Sequence, residues 1–367
     1  MTDRDRDRRD RRPRPRCRRL VGSRAALGMV ATVLAVVGSA APGGATVAAP
    51  FSVTASGRGE VPAFVQDGMP ITDAPDPSVE RFGDTYYAYT TGTQWGNHIG
   101  ILTSTAPDRG FRTLTGEAYG SSAFPGIDWR RPVRPWQRAG TTHAPAVIRW
   151  GGRFVMFYTA QTAAGHGGRY CLSVATAPRP EGPFVDRTTK PWLCMDFACG
   201  AIDPDPVVSG DRLFLLFKTY DDACSTTQRA RIWSVPLTAN GLAFAAWPRP
   251  IVDQFALAPQ TGTIENPQML RVAGRFLLLF SRGDWDSSGY YMASLWCRTP
   301  LGPCGPERNR LVATYRSVRG PGGGTAYRDP AGQAWLAYHG WQGPDGCTAY
   351  RPDDLCSRNL FVARLGI

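Results

Sequence analysis

Apolar residues along this chain come in paired runs, each pair broken by a turn that contains glycine. Five such pairs can be set side by side: "DPSVERFGDTYYAYTTG" from Asp76, "APAVIRWGGRFVMFYTA" from Ala144, "DPDPVVSGDRLFLLFKT" from Asp203, "NPQMLRVAGRFLLLFSRG" from Asn266 and "GGTAYRDPAGQAWLAYHGW" from Gly323. Each reads as strand, turn, strand, with Gly83, Gly151, Gly210, Gly274 and Gly332 in the turns. In the first four, Pro77, Pro145, Pro204 and Pro267 share a register. A further strand-like run follows every pair, for example "RYCLSVATAP" and "NLFVARLGI". The period is roughly 60 residues, and strands repeating at that interval predict a propeller with one four-stranded sheet per blade. The expected fold is all-β, a five-bladed β-propeller over residues 71–367, with 50–70 as a lead-in. A β-sandwich with accidentally similar hairpins is the alternative, and the recurring Pro-to-Gly spacing argues against it.

Composition supports strands over helices. The chain of 367 residues has 41 Gly and 31 Pro, and no stretch sustains a helical period. The formal charge of +12 changes little, because the first fifty residues carry 11 Arg and 4 Asp and so account for +7. The remainder gives no reason to expect nucleic acid as a partner. Residues 1–49 read as an Arg-rich region followed by an apolar run, Ala25 to Ala41, and small residues suited to signal cleavage. An uncleaved anchor is the alternative, since the run is close to the shortest that spans a bilayer. Secretion is therefore expected, by the general route or the twin-arginine one, with no membrane partner after cleavage. Outside the leader stand eight Cys, an even number that suits disulfides in an exported chain. Local pairs are expected: Cys171–Cys194, Cys199–Cys224, Cys297–Cys304 and Cys347–Cys356. No spacing suggests zinc.

In a propeller the first strand of each blade lines the central channel, so residues at the starts of those strands converge at one end of it. Asp76, Asp203 and Glu265 occupy such places, and the loops returning to that end carry Trp95, Trp285 and Trp341. Carboxylates gathered with flat aromatic faces predict a sugar site. His143 begins a first strand and is expected to touch substrate; His339, ending the second strand of blade five, is a candidate for the same role. Asp205 lies on the side of Asp203, one step deeper. His98 and His166 read as solvated loop residues, and Asp329 as a turn residue of blade five.

These segments resemble glycoside hydrolase family 43, the arabinanase, arabinofuranosidase and xylosidase group. The marks are "DPSV", "HAPAVIRWGGRFVMFYTA", "AIDPDPVV", "TIENPQMLRVAGRFLLLFS" and "GPGGGTAYRDPAGQAWLAYHGW", in that order over about residues 70–367. The resemblance implies an inverting glycosidase acting on arabinan or arabinoxylan, with Asp76 as general base, Asp203 as the acid that orients and sets ionisation, and Glu265 as general acid. An inverting site needs its base and acid roughly 6.5–9.5 Å apart, so that water fits between them. A β-xylosidase or exo-galactanase on the same frame, or a sugar-binding propeller without activity, are the alternatives. Three departures stand out: His143 where the family motif usually has Trp, Asn266 where many members have Gly, and Gly323 where some have an ion-holding His. No cofactor is expected, and the last departure puts a central calcium in doubt. A monomer is expected.

Overall fold

The computed structural model describes residues 53–56, 73–92, 98–114, 121–164, 167–219, 229–257, 262–343, 347 and 356–367. Its strands form five sheets. A short strand, β1 (Thr54–Ser56), comes first. Blade one follows with β2 (Ser78–Phe82), β3 (Thr85–Thr90), β4 (Gly100–Ser104), β5 (Arg112–Thr113) and β6 (Ser121–Ser122), the last two both pairing β4. Blade two has β7 (Gln137–Trp150), β8 (Arg153–Thr162), β9 (Tyr170–Ala177) and β10 (Val185–Asp186). Blade three has β11 (Ala201–Ser209), β12 (Arg212–Thr219), β13 (Arg231–Pro236) and β14 (Arg249–Asp253). Blade four has β15 (Ile264–Val272), β16 (Arg275–Arg282), β17 (Tyr291–Cys297) and β18 (Arg308–Val312). Blade five has β19 (Arg319–Arg328), β20 (Ala334–Gln342) and β21 (Ser357–Gly366). Its outer strand is β1, paired antiparallel to β21 with Ala55 opposite Leu365.

That last pairing moves a boundary. The expected lead-in of residues 50–70 contributes Thr54–Ser56 to the propeller, so the ring begins well before residue 71. The outer edge of β21 is thereby covered by backbone from the other end of the chain, which removes an open sheet edge.

The hairpin repeat has a packing cause. Each second strand is buried on both faces, so it reads as an unbroken apolar run instead of alternating with polar residues. In β8, Met156 and Tyr158 pack with Tyr87, Tyr89 and Ile101 of blade one, while Val155 and Phe157 pack with Leu215 and Phe217 of blade three. Similar clusters join blade three to four, four to five, and five to one. All five turn glycines take φ between 57° and 81°. At Gly83, Gly210, Gly274 and Gly332 an added Cβ would meet nothing within 4 Å. The turn therefore asks for left-handed backbone and not for space.

Three expected disulfides are present, Cys171–Cys194, Cys297–Cys304 and Cys347–Cys356. Cys199 is also disulfide-bonded, while Cys224 lies outside the described residues. Asp329 sits in its turn as expected, accepting from the Gln333 amide and from Trp335 Nε1. Among the described residues no helix is long and apolar enough to cross a membrane.

Candidate active site

The acids reach one place because the first strands bulge. Their register with the second strands shifts between His143 and Ala146, Ile202 and Asp205, Glu265 and Gln268, and Gly322 and Thr325. At each shift one residue takes left-handed backbone: Ala144 (φ 42°), Asp203 (56°), Asn266 (51°) and Gly323 (54°), with Asp76 (51°) at the same place in blade one. In the first four blades the next residue is proline. Proline has no N–H to give to a ladder and is tolerated where the ladder is interrupted. Non-glycine residues at positive φ cost on the order of 1–2 kcal/mol each, so the repeated bulge is a built feature that re-aims side chains. It also separates two registers. Asp76 and Asp203 are themselves the left-handed residues, whereas Glu265 stands one position earlier, beside Asn266.

Asp76 is surrounded by groups that favour its charge. The Thr91 hydroxyl donates to Oδ2 at 2.6 Å. His339 Nδ1 accepts the Asp76 amide at 3.1 Å and lies 3.4 Å from Oδ1. Burial alone would raise the carboxyl, but His339, the Arg358 charge and the Thr91 hydroxyl outweigh it and hold the group well below the usual carboxylate range. Asp76 is thus an anion across all ordinary pH.

Asp203 is the opposite case. Burial, then the neighbouring Glu265 charge, push its carboxyl up to about 8, against the lowering effects of Lys218 and of the hydrogen bond from Asn266 N. Glu265 has two partners of its own, Lys218 Nζ on Oε2 at 3.3 Å and the Tyr290 hydroxyl on Oε1 at 2.8 Å. The expectation from sequence has Asp203 charged and Glu265 protonated. Asp203 is the group pushed toward its protonated form, by burial and then by the Glu265 charge. Both line the same cavity, where the Glu265 charge favours a proton on Asp203.

The cavity has a volume of about 420 Å³, and Asp76, Asp203, Glu265, His143, Trp285 and Trp341 all line it. A second, small space of about 10 Å³ is lined by Pro77, Pro145, Pro204 and Pro267 together with Asp76, Asp203 and Asp205. Asp205 accepts from Met269 N. His143 is held neutral, with burial bringing it down to about 4; its ring lies 5.5 Å from that of Tyr170.

The other expected contacts divide. Trp285 is half exposed at the rim, whereas Trp341 is buried, donates its Nε1 to Trp285 O and stacks on that ring at 6.0 Å. Trp341 thus supports Trp285 while also lining the cavity. His339 is fully buried and meets the site through Asp76. Trp95 and His166 lie outside the described residues. His98 is not a solvated loop residue: it is buried, with Nε2 3.3 Å from Asp128 O.

Sequence reasoning missed Lys218, Tyr290, Arg358 and Asp73. Arg358 spreads over Trp285 and Trp341 at 4.8 and 5.6 Å, and its buried Nε has no hydrogen-bond partner among the described residues. Its amide donates to Asp73, whose carboxyl burial raises. Lys218 did leave a signal, a lone cation inside the apolar run "LFLLFKT". At the position of the absent ion-holding histidine, Gly323 offers no donor, and no group of three or more His, Cys, Asp or Glu among the described residues is placed to hold a metal.

A family model, glycosyl hydrolases family 43, matches residues 68–353. Among solved structures, the chain is similar to a thermostable family-43 glycoside hydrolase, at 20% identity and TM-score 0.64, over 80% of this chain and 90% of that one. It is similar to an alpha-L-arabinofuranosidase from Lactobacillus brevis, at 18% and 0.61, over 82% and 94%. It is also similar to a xylan beta-1,4-xylosidase from Bacillus halodurans C-125, at 19% and 0.61, over 82% of this chain but only 54% of that one. None of the curated proteins matches the chain. At these identities the structures establish the fold, and the family model over most of the chain establishes the rest: the protein belongs to glycoside hydrolase family 43, whose members are inverting glycosidases.

Proposed function

We propose that this enzyme is exported and cleaves arabinofuranosyl linkages in plant cell-wall arabinan or arabinoxylan. The observation that carries the chemistry is the contrast in ionisation within one cavity, a carboxylate held charged at Asp76 and a proton held by the Asp203–Glu265 pair. Asp76 takes a proton from water as the water oxygen bonds to the anomeric carbon. The bond from that carbon to the leaving oxygen breaks, and Glu265 delivers the pair's proton to that oxygen. One water is consumed, and Asp76 ends protonated while the pair ends doubly ionised. Trp285 offers its exposed face to the sugar.

Arabinofuranose is supported by the likeness to an alpha-L-arabinofuranosidase and an endo-arabinase, of which this chain covers 94% and 97%. Export is supported by three disulfides, which persist in oxidising surroundings. The test is release of nitrophenol from aryl α-L-arabinofuranoside, aryl β-xyloside and aryl β-galactoside, with the product anomer followed by NMR. Turnover of the arabinofuranoside with inverted product is expected. Turnover of only the xyloside or the galactoside would move the enzyme to that sugar.

A further inference from the structure

Four of the five blade junctions follow one rule at the bulge. The left-handed residue gives its N–H to a side chain on, or one residue past the end of, the second strand of the preceding blade: Ala144 to Thr91 (2.8 Å), Asp203 to Thr159 (3.0 Å), Gly323 to Ser281 (2.8 Å) and Asp76 to His339 (3.1 Å). These acceptors occupy one register. Thr159 lies opposite His143, Ser281 opposite Glu265 and His339 opposite Gly322, each one place before the left-handed residue. Between blades three and four the corresponding residue, opposite Ile202, is Lys218. An ammonium has three donors and no acceptor. The Asn266 N–H goes instead to Asp203 Oδ2 at 2.9 Å, and Lys218, 1% exposed, turns its Nζ to Glu265.

A buried cation is costly unless something needs its charge. Here it stands at the one junction that carries both members of the acidic pair. We propose that Lys218 is a positioning residue for that pair: its charge holds Glu265 and offsets the second negative charge left when the pair gives up its proton, and its lack of an acceptor directs the Asn266 amide onto Asp203. This rests on the reading of Asp203 and Glu265 as the proton-donating pair. The other groups facing the pair are the Tyr290 hydroxyl on Glu265 and the Asp76 charge, with His339 and Arg358 beyond Asp76. His143 is neutral on the far wall. The Lys218 charge lowers Asp203 directly.

The decisive variant is Lys218→Thr, which restores the acceptor type of Thr91 and Thr159 and removes the charge. Lys218→Met, closer in length, gives a second reading should threonine leave the fold too loose. Two quantities are followed. One is the Asp203 titration in substrate-free enzyme, by carboxyl ¹³C NMR. The other is the pH profile of kcat/KM on an arabino-oligosaccharide and on a dinitrophenyl arabinofuranoside. Loss of a nearby cation raises a carboxyl pKa, so the Asp203 midpoint and the basic limb should both move up by about one unit. The oligosaccharide rate should fall about ten-fold more than that of the dinitrophenyl substrate, whose leaving group needs no proton. Lys218→Arg should restore most of the shift. An unmoved Asp203 midpoint in either folded, uncharged variant overturns the proposal, as do equal losses on both substrates with an unmoved limb. If the wild type cleaves neither substrate yet the midpoint moves, the sugar assignment fails and the Lys218 coupling stands.

Discussion

Asp76 and Asp203 sit on the same backbone device, a left-handed residue followed by proline, and end in opposite states. Asp76 faces a hydroxyl, a histidine and the Arg358 charge, and stays ionised. Asp203 faces another carboxylate with only one cation to share, and burial pushes it up to about 8. The backbone therefore sets where a carboxylate stands, and the side chains that neighbouring second strands turn toward it set what it does. His339 serves Asp76 from blade five, while Lys218 serves the pair from blade three. An inverting reaction requires this asymmetry, because a base must be charged while an acid still holds its proton.

The largest test removes either side. Asp76→Asn cannot accept the water proton, so kcat/KM should fall about 10²–10⁴-fold on an oligosaccharide and on a dinitrophenyl glycoside alike. Glu265→Gln should lose a similar factor on the oligosaccharide and much less on the dinitrophenyl substrate, which departs as a stable anion. Measuring both variants on both substrates separates the roles; a Glu265→Gln loss that is the same on each would remove the acid from that residue.

Much of this arrangement is legible in the sequence, and the reason is repetition. The hairpins, their turn glycines and the Asp-Pro and Asn-Pro pairs recur because every blade solves the same packing problem. The acids stand out against that background. What is hidden depends on register. Thr54–Ser56 has too few residues to show a strand pattern, and its place at the outer edge of blade five is set by pairing with Arg364, Leu365 and Gly366 near the other end of the sequence. The bulge decides that Glu265, a residue earlier than Asp203 in the repeat, still reaches the same cavity. His339 and Trp341 are visible as chemistry-bearing residues, but whether each touches a ligand or supports another residue depends on burial that no spacing reveals.

A smaller effect is expected at Gly323, where the two glycine uses differ. The turn glycines leave open space, but a Cβ at Gly323 would come within 2.4 Å of His339 Cε1 and 2.6 Å of Asp76 Oδ1. His339 is fully buried and its ring stacks on Tyr290, 6.0 Å away, so it cannot simply step aside. Gly323→Ala should destabilise the fold by about 1–3 kcal/mol through overpacking and displace Asp76. Misplacement on the order of 1 Å costs up to about 10²-fold in rate. Gly332→Ala, with the same sign of φ but open space, is the control: thermal melts should show strain there without the loss of kcat. Equal kcat losses at both glycines would mean that backbone conformation alone, and not the crowding of Asp76, matters.

The smallest expected effect comes from trimming one donor at Asp76. Thr91 Oγ1 donates to Oδ2 and accepts the Ala144 amide, so it serves the base and the blade junction at once. Thr91→Val keeps the shape and loses both bonds. A hydrogen bond to a charged group contributes about 1.5–3 kcal/mol, and its loss raises the Asp76 carboxyl toward the ordinary range. Asp76 is depressed in the fold, so its contribution to stability is complete above the unfolded carboxyl range and disappears as pH falls through the folded value. The variant should therefore lose part of its advantage at neutral pH, and its acid limb in kcat/KM should move upward, with His339 and Arg358 still holding Asp76 ionised near pH 7. Rates at neutral pH should fall by about ten-fold or less. Thr91→Ser, which keeps the hydroxyl, should restore the limb. A limb that stays in place in Thr91→Val while stability drops would show that the hydroxyl serves only the Ala144 amide, and that His339 and Arg358 alone keep the base charged.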